Sequence, residues 1–125
     1  MAFILSEKST YPWTVSVQTP DLQKPGRWKT HTFTATFKKL PPLEVQERLT
    51  ALSDKDLGYE ERYSLENDFI EDVLLGWDGI TDECGEPILF SAATRERVLD
   101  VPEVRRALFE AYFDSALHRK AATKN

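Results

Sequence analysis

From Thr30 to Phe37 the chain alternates: threonine stands at 30, 32, 34 and 36, with His31, Phe33, Ala35 and Phe37 between them. Strict alternation fits an extended strand with one apolar and one polar face, because strand side chains point to opposite faces with a period of two. A helix would scatter the same aromatics around its circumference. The pattern has a partner upstream, where Trp13, Val15 and Val17 oppose Thr14, Ser16 and Gln18. Pro20 and Pro25-Gly26 in the connector, Thr19 to Arg27, can reverse the chain over a long loop. The spacing therefore predicts a β-hairpin over 11–38. A hairpin alone is marginal in water, so its Phe33 and Phe37 face needs a cover, expected from the helices that follow.

At Leu40-Pro41-Pro42 the period changes. Two prolines cannot continue a central strand, but they can open a helix, whose first amides need no partner. Val45, Leu49 and Leu52 then form one apolar stripe, with Glu44, Glu47, Arg48 and Thr50 largely outside it. Ser53 to Gly58 breaks the period, and Asp54 is the expected cap of a longer helix. Its row is Phe69, Val73 and Trp77, joined by Ile70 and Leu74, and Gly76 is its expected stop. Ser91 is expected to cap a short helix through Val98, and Asp100 with Glu103 to form a capping box around Pro102. The last helix has the broadest apolar face, with Val104, Leu108, Ala111, Tyr112 and Ala116 in one row and Phe109, Phe113 and Leu117 in the next. Arg119 and Lys120 suit the negative end of its dipole, and Ala121 to Asn125 are expected to fray. The predicted fold class is α+β, mainly helical, in one domain over 1–125. An N-terminal β-hairpin (11–38) packs on a bundle of about four helices (42–118), with flexible ends at 1–9 and 119–125.

Charge and composition remove several function classes. Acidic residues outnumber Lys and Arg by 21 to 16, for a net charge of −5, and the lysines form no stripe, so nucleic acid is not an expected partner. Trp28, Lys29, His31 and Phe33 mix aromatics with cations as single-strand binders do, but an edge strand blunted by lysine explains them equally well. No apolar run is long enough for a membrane span, and Met1 to Leu5 is too short for a secretory signal. Cys84 is the one cysteine, which leaves no internal disulfide or thiolate zinc set and suits a reducing cytoplasm. The acidic surface is expected to aid solubility and steer a basic client.

The densest segment is Val73 to Ser91, with three glycines, Trp77, Phe90 and four acids. Asp78, Asp82, Glu83 and Glu86 suggest a calcium loop until the spacing is counted, for the sixth position from Asp78 is Glu83 where such a loop needs glycine. Turn chemistry accounts for them instead. The acids of 60–72 lie on the polar side of a helix. His31 and His118 have no partner at metal-ligand spacing, Cys84 has acidic neighbours that disfavour a thiolate, and no glycine loop matches a phosphate cradle. No catalytic, cofactor-binding or metal-binding residue is expected.

In order along the chain, Phe33 to Leu40, the Leu65 to Trp77 helix, Trp77-Asp78-Gly79-Ile80-Thr81-Asp82-Glu83, Gly85-Glu86-Pro87 to Phe90-Ser91, and Val101 to Leu108 together resemble tail assembly chaperones of long-tailed, noncontractile bacteriophages. The similarity spans about residues 30–118 and rests on the order of these patterns. It implies a non-enzymatic protein of the infected host's cytoplasm that binds the tape measure protein, shields its apolar helices and helps bring tail tube protein to it. Such chaperones are absent from the finished virion. Many also exist in a frameshift-extended form that carries a tube-binding domain, and this chain would be the shorter form. A homo-oligomer is also expected.

A client helix would lay its apolar stripe into a groove. Trp77, Ile80, Phe90 and the exposed members of the Phe109, Tyr112 and Phe113 set are the candidates for bordering that groove or a self-association surface, and a core role is the alternative for all six, Phe109 and Phe113 above all. Two other classes stay open: a structural tail or head-completion protein retained in the virion, and a small enzyme or regulator.

Overall fold

A computed structural model of the chain describes residues 1–119. The expected cation Lys120 and the expected fraying of Ala121 to Asn125 lie outside the described residues. Three antiparallel strands, β1 (Thr10–Pro20), β2 (Trp28–Lys38) and β3 (Leu74–Asp78), form one sheet in the order β1-β2-β3. Four helices complete an α+β fold: α1 (Pro42–Leu52), α2 (Tyr59–Val73), α3 (Ala92–Leu99) and α4 (Pro102–Leu117).

The hairpin follows the sequence pattern. Val15 pairs with Phe33 and Trp13 with Ala35, so residues of one parity share the inner face. Val15, Val17, Phe33, Ala35 and Phe37 are buried there, whereas Ser16, Gln18, Thr32 and Thr34 are exposed. Pro12 is tolerated because β1 is an edge strand. Residues 1–9 carry no helix or strand, although the Ser9 carbonyl accepts from the Lys39 amide at 2.8 Å.

The expected helix through Trp77 is corrected by the structure. It ends at Val73, and the chain enters β3, where Leu74 pairs with Phe37 and Trp77 with Ala35. Between those pairs, Thr36 pairs with Gly76, so Leu75 is an extra residue in the ladder and a bulge forms. Gly76 is therefore a strand residue, not a helix stop. The open edge of β2 supplies partners for the β3 backbone, and this pairing overrides the four-residue spacing of Phe69, Val73 and Trp77.

Two expected caps are also corrected. Gly58, not Asp54, is the N-cap of α2, with the Glu61 carboxylate accepting from the Gly58 amide at 3.0 Å. Asp54 accepts from the Asp56 amide instead, and Arg62 donates to the Leu52 and Asp54 carbonyls, closing the turn after α1. Asp100 is the helical end of α3, so Val101 is the N-cap of α4 and no side chain caps it. Ser91 does cap α3, accepting from the Thr94 amide at 3.1 Å.

The core lies between the inner sheet face and the helices. Both rows of α4 find partners: Tyr112 meets Phe37 edge-on at 5.1 Å, while Phe113 stacks on Phe69 of α2 at 5.2 Å. The Tyr112 hydroxyl donates to the Lys38 carbonyl at 3.0 Å, which gives this buried aromatic a polar partner. Around the rim, Asp72 of α2 accepts from Lys38 and Arg48, and the Arg48 guanidinium lies over the Phe69 ring. Among the described residues, no helix is long and apolar enough to cross a membrane.

Candidate functional site

The segment after β3 is a small folded corner. Gly79 has φ of 96°, a left-handed conformation that a side chain would strain, and a Cβ there would lie 3.6 Å from the Phe33 backbone. The chain then doubles back, with the Ile88 amide donating to the Ile80 carbonyl at 2.8 Å and the Asp82 amide to the Glu86 carbonyl at 2.9 Å. The Asp82 carboxylate accepts from the Cys84 and Glu86 amides at 2.8 and 3.0 Å. That oxygen shapes the turn. Cys84 is exposed, and among the described residues no three of His, Cys, Asp and Glu converge as a metal site would require.

Trp77 fastens the corner to the sheet. Its Nε1 donates to the Ile88 carbonyl at 2.7 Å, and its ring meets Phe90 edge-on at 4.8 Å. Thr94 then binds the Leu89 carbonyl through its hydroxyl at 2.7 Å, joining the corner to the start of α3. These bonds hold Ile80 and Ile88 over the end of the hairpin.

An open cleft of about 430 Å³ results. One wall is the hairpin, with Val17, Thr19, His31 and Phe33, and the second is the corner, with Gly79, Ile80 and Ile88. Val98, Val101 and Val104 close the third side from α3, α4 and the turn between them, and Arg97 stands at the margin. The floor is apolar and the polar groups are few, as in sites that accept an apolar group and fix its orientation. The His31 ring is 3.3 Å from the Thr19 hydroxyl.

The structure divides the six candidate residues. Ile80 lines the cleft. Trp77 and Phe90 are half-buried and support the corner from outside the cleft lining. Phe109 is half-buried and stacks on Phe69 at 5.8 Å. Tyr112 and Phe113 are corrected as surface candidates, being 0% and 4% exposed in the core. The broad face of α4 has two internal partners, the sheet and α2, and these account for its width.

Val17, Ile88, Val98, Val101 and Val104 escape a sequence-based candidate set because they are small aliphatics from separate segments. Val98, Val101 and Val104 do recur every third residue, the one sequence signal that could have grouped them. No protein-family model matches the chain, and no curated protein or solved structure shows significant similarity to it.

Proposed function

We infer that this chain is a tail assembly chaperone of a long-tailed, noncontractile bacteriophage. It binds the tape measure protein, keeps it soluble and promotes assembly of the tail tube around it. The pattern similarity over about residues 30–118 supports this reading, and the observation that carries it is the open apolar cleft beside Ile80 and Ile88. An amphipathic helix can place its apolar row there while its polar side stays in water. Trp77 and Phe90 shape the cleft, the four helices pack as a bundle of which α3 and α4 wall one side of it, and no catalytic group or cofactor takes part. The chaperone works in the host cytoplasm, associates with copies of itself, hands tube protein over through a frameshift-extended form, and leaves before the virion is complete.

Co-expression with the tape measure protein tests the reading. The full chain should move that protein into the soluble fraction, and an Ile80→Asp variant with an unchanged melting temperature should do so poorly. No solubilisation by the full chain would overturn the chaperone reading, whereas full rescue by Ile80→Asp would overturn the cleft. Mass spectrometry of purified particles separates a chaperone, which should be missing, from a retained structural part.

A further inference from the structure

The charge at the cleft is opposite to that of the whole chain. The protein carries a net −5, yet among the described residues that line the cleft none is acidic, while Arg97 and His31 both border it. Lys29 lies just outside the lining, where it pairs with the cleft residue Thr19 and shares the inner-face parity of His31 and Phe33. The acids adjacent in sequence to lining residues are directed to other places. Asp78 pairs with Thr34 on the opposite parity of the sheet, Asp82 is bonded into its turn, Glu96 and Asp100 border a separate hollow with Tyr63 and Asn67, and Glu103 borders another with Trp28.

We propose that the cleft recognises an acidic amphipathic helix, one whose apolar row is flanked by Glu or Asp. The apolar row enters between Ile80, Ile88 and Val101, and the flanking carboxylates meet Arg97 and Lys29. This rests on the chaperone reading and specifies the part of the client that is held. Net charge alone points to a basic client, so the local lining reverses that expectation. Charge complementarity at such a margin sets orientation and partner choice more than total affinity.

The test uses the full chain and two synthetic helices of equal length with the same leucine row, one flanked by glutamate and the other by lysine. Fluorescence anisotropy should show the glutamate helix binding roughly three- to tenfold more tightly, the range expected for one or two exposed ion pairs. Arg97→Glu should reverse the preference, with Lys29→Glu as a second variant should the first fail to fold, and Ile80→Asp should weaken both helices. Equal affinity, or preference for the lysine helix, overturns the proposal. So does complete displacement of the glutamate helix by octanoate, which would make this a small-anion site. Self-association that Ile80→Asp abolishes would instead assign the cleft to a second copy and overturn it too. If charge preference is absent while the tape measure protein is still solubilised, the inference fails and the chaperone reading stands; if neither helix binds and nothing is solubilised, both fail.

Discussion

At Asp72 one carboxylate accepts from Lys38 at the end of β2, at 3.0 Å, and from Arg48 on α1, at 2.6 Å, so three elements meet on one side chain. Burial alone would raise the Asp72 pKa, but the hydrogen bonds and charges of Lys38 and Arg48 outweigh it and hold the carboxyl below the usual carboxylate range. A depressed folded-state pKa contributes stability that is present above the unfolded value, near 3.9, and is lost as the pH falls through the folded value. Asp72→Asn should therefore melt below the parent at neutral pH, and the gap should narrow as the pH drops below about 4. Thermal melts of both proteins from neutral to acid check this, and a gap that stays constant would detach Asp72 from the effect. Single residues are legible in the sequence where backbone geometry depends on them. Gly79 and Gly85 hold positive φ in the corner as turn chemistry requires, whereas Gly76, equally plausible as a helix stop, pairs with Thr36 in a strand.

Among the elements, the hairpin and α4 are the most legible, since their periods of two and 3.6 run uninterrupted. β3 is not, because Leu74-Leu75-Gly76-Trp77 satisfies a helical row as well as a strand, and its pairing depends on β2, about forty residues upstream. The bulge at Leu75 blurs the alternation further. The start of α4 departs from its sequence signal for a related reason: the Asp100 and Glu103 spacing suits a cap, but α3 holds Asp100 in a helical conformation and passes the N-cap to Val101. Valine is a poor N-cap, and it lies in the cleft. Val101→Ser should then supply the missing cap and stabilise the chain by about 0.5–1 kcal/mol. The same change removes an apolar wall and should weaken helix binding. Denaturant unfolding and anisotropy on one preparation separate the two effects, and a variant that loses stability, or gains it with binding intact, would refute the trade-off.

For the whole molecule, sequence periodicity shows which faces are apolar but not which distant segments meet. Val17, Ile80 and Val98 form one cleft only because the hairpin, corner and α3 converge, and Tyr112 and Phe113 vanish into the core because α4 meets both the sheet, at Phe37, and α2, at Phe69. Charge behaves in the same way, for the net −5 describes the distant field, while the proposed contact falls to Arg97 at the cleft and Lys29 beside it. The two act over different ranges. A glutamate-flanked helix with net negative charge is repelled by the body on approach and attracted at the margin on arrival. Salt screens charges over a Debye length of about 8–10 Å near physiological strength, so it weakens the distant repulsion and the exposed contacts together. Stopped-flow traces should thus show the glutamate helix associating no more slowly as salt rises, and dissociating faster. The lysine helix should associate more slowly as salt rises, since the field that steers it is screened. Approach would favour the basic helix while lifetime favours the acidic one, a separation that net charge alone cannot produce. A steep fall in the glutamate helix's association rate with salt would show that the cleft's local field dominates approach as well.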